Sequence, residues 1–334
     1  MFRRLWHAAI AAVLLWPPLA RADPINLKLS FFSSDRSLVY QASVKPFVDA
    51  VNAKAGGLLH IEVYLSDAIS AAQNRQPQLV SDDTADLAII VPPQTPERFA
   101  DNSVFELPGL FSDPRLASRI YEEMAGSGLL AGYEDFRVIG GFMSQPEAVN
   151  SRTAIGSLAD LKGLKIRVNN LMEADTLQQF GAVPVVLPIN QTSDAVSSGA
   201  IDAATSPPEM LFAFGLGRVT TYHYMIGLGA VPTALVMNRK KFESLPVQAQ
   251  SIIRSYSGHW LIDYSAGKYT AADEEALSSM RADPRRHVIF PNGADETAIQ
   301  AAYGRIVNDY AASGDHNRML LAHIRGELAR PPAD

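Results

Sequence analysis

Two hydrophobic periods take turns along this chain. From Asn26 to Phe32 the apolar positions Leu27, Leu29 and Phe31 fall on one side, the two-residue repeat of a strand. Val44, Phe47, Val48 and Val51 then recur at helical spacing up to Gly56-Gly57, and Pro46 inside that pattern predicts a kink or a late helix start. His60 to Tyr64 alternates again, and Asp86 to Val91 is a continuous apolar run of strand length, as in a sheet covered on both faces. Asp113-Pro114 reads as an N-cap and a first-turn proline, with Leu116, Ile120 and Met124 as the buried stripe that follows.

A second series starts with the strand Arg137 to Met143. Ser157 to Asp160 reads as a short capped turn stopped by Gly163, followed by a strand from Leu164 to Val168. A helix from Asn170 to Phe180, stopped by Gly181, places Leu171, Ala174 and Leu177 inward. Pro184 to Leu187 is a strand, Thr192 to Ser198 a helix ending at Gly199, Ile201 to Thr205 a strand and Thr233 to Asn238 another. Leu245-Pro246 opens a helical stretch running to about Met280, softly interrupted at Gly258 and Gly267. His287 to Phe290 is a late strand and Asp295 to Ala312 a final helix. Repeated strand-helix-strand units predict an α/β fold with mainly parallel sheets and helices on both faces. Two such series imply two lobes, and a small molecule belongs in the crevice between them, at the carboxyl ends of the strands.

The first residues stand apart. Arg3-Arg4 precedes an apolar run from Leu5 to Trp16, then Pro17-Pro18 and Ala20-Arg21-Ala22. A basic start, a short apolar stretch and a small-x-small site make a secretory signal peptide cleaved before Asp23. The alternative, a membrane anchor, needs a longer apolar run without prolines. Removing this leader takes away three of the 29 basic side chains and none of the 35 acidic ones, so the formal charge falls from −6 to −9. That balance gives no electrostatic reason to bind nucleic acid or an anionic membrane. With no cysteine in 334 residues, disulfides, thiol nucleophiles and thiolate metal sites are excluded, as is a lipid-modified cysteine. An exported, acidic chain of this kind reads as periplasmic.

Catalytic constellations are hard to find. Gly126-Ser127-Gly128-Leu129-Leu130-Ala131 matches a loose nucleotide-loop spacing, but it follows a helical stripe rather than a strand and reads as a helix stop. His323 and Glu327 share a helix face at i, i+4; a solvated face explains them better than a metal. Asp82-Asp83 and Asp273-Glu274-Glu275 likewise read as solvated helix surface. No catalytic set, metal site or cofactor is expected.

One stretch is far more specific. It runs Ser157-Leu158-Ala159-Asp160-Leu161-Lys162-Gly163-Leu164-Lys165-Ile166-Arg167-Val168, then Phe180-Gly181-Ala182-Val183-Pro184-Val185, then Ala195-Val196-Ser197-Ser198-Gly199-Ala200-Ile201-Asp202. Val236-Met237-Asn238 and Leu245-Pro246 follow, and in the first half Thr84 to Ala88 and Glu106-Leu107-Pro108 fit the same pattern. The chain resembles the periplasmic solute-binding proteins of tripartite ATP-independent periplasmic (TRAP) transporters over nearly its whole length after the leader. The resemblance implies a two-lobed periplasmic-binding-protein fold with a ligand cleft between the lobes and a long helix linking them as a hinge.

Arg167 is notable without the family. It ends a short strand, with Ile166 and Val168 facing the other way, and a buried guanidinium there needs an anion. The residues alone leave two readings open, an internal partner carboxylate or a ligand. The resemblance implies the second, because the family's carboxylate-clamping arginine falls on Arg167. Its other implied contacts are Asn169, Ser206, Ile189, Phe32 and Val91, although Phe32 and Val91 could equally pack in a lobe core. Where several relatives carry a second arginine this chain has Glu147, expected to repel a second anion if it faces the cleft.

The resulting expectation is a monomeric periplasmic receptor that passes a small organic acid with one carboxylate to the membrane permease subunits of a TRAP transporter, without inserting in the membrane itself. Lobe 1 would comprise residues 23–144 and 232–272, lobe 2 residues 145–231 and 273–325, with a tail at 326–334. Rival readings are a ligand-presenting partner of a chemoreceptor or sensor, and a secreted enzyme on the same fold.

Overall fold

In chain order the first unit holds β1 (Ile25–Phe31), α1 (Lys45–Ala55), β2 (Leu59–Leu65), α2 (Gln76–Ser81), β3 (Leu87–Ile90), α3 (Pro114–Ser127) and β4 (Phe136–Met143). The second holds β5 (Ala148–Ser151), β6 (Lys165–Val168), α4 (Leu171–Gln179), β7 (Val183–Val186), α5 (Ile189–Ser198), β8 (Ala203–Ser206), α6 (Pro208–Leu211) and β9 (Tyr222–Tyr224). The chain then returns through β10 (Pro232–Asn238), α7 (Arg239–Ser244), α8 (Val247–Ser255) and α9 (His259–Ala282), crosses again to β11 (His287–Ile289), and ends in α10 (Gly293–Ala312) and α11 (Asp315–Leu328). The computed structural model describes residues 23–330, so the leader assigned to residues 1–22 lies outside the described residues.

Two sheets result. One has the order β2-β1-β3-β10-β4, the other β11-β9-β5-β8-β6-β7. Each is mixed in one respect: β10 runs against its neighbours in the first sheet, and β5 against its neighbours in the second. These are the strands the chain enters after crossing between sheets, from β4 to β5 and from β9 to β10. The unit around the first sheet is lobe 1 and that around the second lobe 2.

Local chemistry accounts for the element ends. Asp113 accepts hydrogen bonds from the N–H groups of Arg115 and Leu116 and caps α3 with Pro114 in its first turn. Ser157 and Asp160 form a reciprocal capping box on the short turn before β6. Pro46 cannot donate to the preceding turn, and the chain from Tyr40 to Val44 widens there into a π-turn before α1. Gly258, at φ +59°, breaks α8 from α9, whereas Gly267 leaves α9 uninterrupted.

Lobe 1 is apolar on both faces of its sheet. Leu27, Leu29 and Phe31 pack with α1 and α8, while Ala88, Ile90, Val138 and Val236 pack with α3. Three expectations are corrected. Leu171 is 61% exposed rather than inward, because α4 buries Glu173, Ala174 and Leu177 instead. A further helix, α11, follows the one expected to be final and extends into the start of the presumed tail. Finally, Ile306, Val307 and Tyr310 of α10 and Leu320, Leu321 and Ile324 of α11 join the core of lobe 1, not lobe 2. Only the first half of α10, through Ile299 and Tyr303, packs on lobe 2. That helix therefore spans both lobes, as does α9, whose Leu261 and Tyr269 belong to lobe 1 and Met280 to lobe 2.

Candidate functional site

A cavity of about 800 Å³, counted to its open mouth, lies between the carboxyl ends of the two sheets. Lobe 1 walls it with Phe31 and Phe32 at the end of β1, Val91 after β3 and Phe142 in β4; lobe 2 adds Ile189, Met210 and Phe214. Tyr269 of the lobe-spanning α9 also lines it. Phe31 and Phe32 are in ring contact, 5.0 Å between centroids. The polar lining includes Ser33, Ser37, Gln73 and Gln94 from lobe 1, and Glu147, Asn169 and Ser206 at the lobe 2 end.

Five of the six expected contacts, Asn169, Ser206, Ile189, Phe32 and Val91, line this cavity together. Ile189 does so from the first turn of α5 rather than from a strand end. Arg167 does not line it. Its side chain is 1% exposed, with β6 flanked by β7 and β8 and with Ile166 and Val168 also sealed. It lies one layer back: Nε donates to the Leu187 carbonyl at 2.7 Å and Nη1 to that of Thr205 at 3.1 Å. Thr205 is the residue before the cavity-lining Ser206. Among the described residues Nη2 makes no hydrogen bond, yet it is not one of the sealed partnerless atoms. Nor does Arg167 take part in any ion pair among those residues. An internal partner carboxylate in direct contact is thus not what the guanidinium has. Burial pulls its pKa down, opposed by the nearby charges of Glu147 and Glu173.

Those two carboxyls are held very differently. Glu173 accepts from Thr205 Oγ1 at 2.6 Å, from Asn170 Nδ2 at 3.0 Å and from the Asn169 N–H at 3.1 Å. Among the described residues Glu147 accepts one hydrogen bond, from Asn169 Nδ2 at 2.5 Å; the Thr205 hydroxyl also pulls on its carboxyl, and its Oε2 is buried without a partner. Asn169 thereby commits one of its two amide hydrogens to the protein. Ser206 does the same, donating from Oγ to the Pro207 carbonyl at 3.0 Å, so the free donor expected there is already engaged.

Other clusters sort themselves plainly. Gly128 is left-handed and ends α3, so the glycine-rich stretch is a helix stop. His323 and Glu327 are 3.9 Å apart, and among the described residues no group of three or more acidic or histidine side chains could hold a metal. Asp273 departs from the solvated reading: it sits half-buried beside Glu209, whose carboxyl burial raises to about 8.

Sequence reasoning missed Phe31, Phe142, Phe214, Met210 and Tyr269 as cavity wall. Met210 and Phe214 were findable, since they follow the carboxyl end of β8 where such ligands sit. Tyr269 was not, because nothing in the pattern of α9 marks which turn faces the cleft.

A family model for bacterial extracellular solute-binding proteins of family 7 matches residues 29–313. The C4-dicarboxylate-binding periplasmic protein of Rhodobacter capsulatus is 24% identical over 290 residues, 84% of this chain and 85% of that one. Among solved structures, a TRAP solute-binding protein of Rhodoferax ferrireducens with copurified benzoate superposes with a TM-score of 0.83 at 25% identity, covering 91% of this chain and 98% of that one. A marine metagenome TRAP solute-binding protein specific for aromatic acid ligands reaches 0.85 at 24% identity, covering 92% and 100%.

Proposed function

The chain belongs to bacterial extracellular solute-binding protein family 7, the TRAP receptors, and we propose that its cleft captures an organic acid with one carboxylate and an aromatic or apolar remainder. The observation that carries this reading is the pairing of an aromatic-walled cavity with a buried guanidinium that no carboxylate of the described residues contacts. The ligand's ring packs among Phe31, Phe32, Val91 and Phe142. Its carboxylate lies at the end closed by Asn169 and Ser206, behind which Arg167 supplies positive charge and a donor nitrogen with no main-chain bond. A second carboxylate at the opposite end would find no cation among the lining residues, only the neutral Ser33, Ser37, Gln73 and Gln94 beside apolar wall, and its desolvation would be poorly compensated. The benzoate found in the Rhodoferax relative fits that division; the dicarboxylate named for the Rhodobacter relative does not.

Function follows from closure. Two strand-to-strand crossings and two lobe-spanning helices join the lobes, and a ligand touching both stabilises the arrangement in which they meet. Closure removes water from the carboxylate and strengthens its attraction to Arg167. The loaded receptor then delivers its acid to a TRAP permease, acting as a monomer in the periplasm after the leader is removed before Asp23. A thermal-shift screen of benzoate, mandelate, succinate, malate and gluconate tests the ligand class. Stabilisation by the aromatic monoacids is expected; stabilisation by succinate or malate alone would overturn it.

A further inference from the structure

Glu147 is left unexplained by this reading, for it brings a buried acid to the place where an anion must bind. It is 1% exposed and lines the cavity with Asn169. Its main chain is pinned as well, the Leu228 N–H donating to its carbonyl at 2.9 Å, so the segments entering and leaving lobe 2 hold each other there. Gly229, next along, runs so close to the Glu106 main chain that a Cβ would lie 2.0 Å from its carbonyl oxygen. The Glu147 backbone is therefore held in place, and its side chain starts from a fixed point.

The charges around it can be counted. One guanidinium, Arg167 on β6, faces two carboxyls, Glu147 and Glu173 of α4; Thr205 of β8 and Asn169 supply neutral donors, and Glu106 lies on the far side of Glu173. One ionised carboxylate balances the guanidinium. Glu173, with three donors, is the better solvated as an anion, while Glu147 has one donor and a partnerless Oε2. The surplus proton belongs on Glu147.

We propose that Glu147 serves as a neutral carboxylic acid whose Oε2–H donates to the carboxylate of the bound ligand, so that the receptor recognises its acid with a proton of its own. The inference rests on the organic-acid reading above. It reverses the expectation that Glu147 repels an anion: protonated, it adds a donor at the polar end, where Asn169 has committed one of its two amide hydrogens and Ser206 its hydroxyl hydrogen. Burial, and then the charge of Glu173, push the Glu147 carboxyl well above the ordinary carboxylate range, against the pull of Arg167. The consequence is a discrimination by pH and by charge. An anion is accepted while Glu147 keeps its proton, and is repelled once it loses it.

Calorimetric titration of the full mature protein with benzoate between pH 5.5 and 9 decides the matter, since benzoate stays ionised throughout. Wild-type affinity should hold at the acid end and then fall about tenfold per pH unit once Glu147 titrates. Glu147→Gln, which keeps a donor, should bind within about threefold of the acid-end affinity and show no such fall; Glu147→Ala should lose about tenfold at pH 5.5. If Glu147→Gln fails to fold, wild-type titrations in buffers of different ionisation enthalpy replace it, with uptake approaching one proton per benzoate at the alkaline end. Benzoate binding with a flat pH profile and no proton uptake would overturn the proposal alone. Binding of benzylamine in preference to benzoate, abolished by Glu147→Gln, would also overturn it by showing an ionised Glu147. Failure of every carboxylate to bind would overturn the organic-acid reading itself, and this inference with it.

Discussion

Around the sheet of lobe 1 the buried side chains are overwhelmingly apolar on both faces, whereas around the sheet of lobe 2 Asn150, Arg167, Asn170, Glu173, Thr205 and His223 are buried beside a smaller apolar core. The two lobes have similar topology and use it for different ends. Lobe 1 offers the ligand a wall, Phe31, Phe32, Val91 and Phe142, which is simply the cleft-facing edge of its core. Lobe 2 offers charge and hydrogen bonds, and these must be built into the core because the strand ends that carry them are sealed on both sides. The lesson is that stability and recognition are nearly separate in lobe 1's packing but share atoms in lobe 2: Thr205, for example, both accepts from Arg167 and donates to Glu173.

The largest effect should come from the apolar side. Phe105, fully buried against Phe111 and Tyr121, has no part in the cleft. Phe105→Ala should cost about 3–5 kcal/mol in denaturant unfolding, the range for an aromatic removed from a packed core. Benzoate affinity measured on the fraction that remains folded should be unchanged. A loss of affinity matching the loss of stability would show that the wall and the core are not separable.

Arg167→Ala is the converse test. Binding should weaken by about 2–5 kcal/mol, the effect of removing one side of a buried, hydrogen-bonded charge pair. Some stability should go too, since the carbonyls of Leu187 and Thr205 lose their donors. Calorimetry and thermal unfolding together discriminate. Unchanged affinity with collapsed stability would make Arg167 a core residue and break the comparison on the lobe 2 side.

How legible this was in the sequence differs between the lobes for a physical reason. Alternation and helical spacing are signals of burial, so β1, β3 and α3 could be read residue by residue, down to the Asp113 cap. Lobe 2 buries polar groups that such patterns do not mark. Arg167 was found because a charge on a short apolar strand is conspicuous and the family motif falls on it. Its hydrogen-bonded setting was not legible: Thr205 and Glu173 are far from it in sequence, and Glu173 looks like any helix-face acid. The C-terminal helices were misplaced because periodicity shows that a face is buried without showing against which lobe.

Lobe 1 has a buried acid as well, and it allows a pH test of middling size. Burial, then the charge of Glu173, raises Glu106 to about 8 from an ordinary 4.5. The unfolded chain releases this proton near the ordinary value while the folded protein keeps it. Stability from this group is therefore lost as pH rises from about 4.5 to about 8. His223, lowered to about 4 by burial, acts oppositely, with stability lost as pH falls from about 6.5 to about 4. The two offset each other where their ranges overlap; above pH 6.5 the falling slope is shared by Glu106 with the other buried acids, Glu209 and Glu147. Glu106→Gln should make that slope shallower and raise the melting temperature at pH 7.5, the gain in unfolding free energy being on the order of 1–2 kcal/mol. A lower melting temperature at pH 7.5 with the slope intact would show that Glu106 is ionised in the folded protein, making lobe 1 as polar in function as lobe 2.

The smallest effect, that of truncating Leu171, tests where lobe 2's apolar core stops. Leu171 and Leu177 lie on the same helix, and spacing alone put both inward, yet Leu171 is 61% exposed and Leu177 fully buried. The reason is local. Asn170 caps α4 with its side chain, and Glu173 turns inward to meet Thr205 and the Asn169 main chain, so the first turn is anchored by hydrogen bonds rather than by Leu171. Leu177→Ala should therefore cost about 2–5 kcal/mol, and Leu171→Ala no more than about 0.5 kcal/mol. Denaturant unfolding of the two variants side by side measures the difference. Equal losses would mean that the first turn of α4 is held by apolar packing after all, and the contrast drawn between the lobes would fail at the helix that carries Glu173.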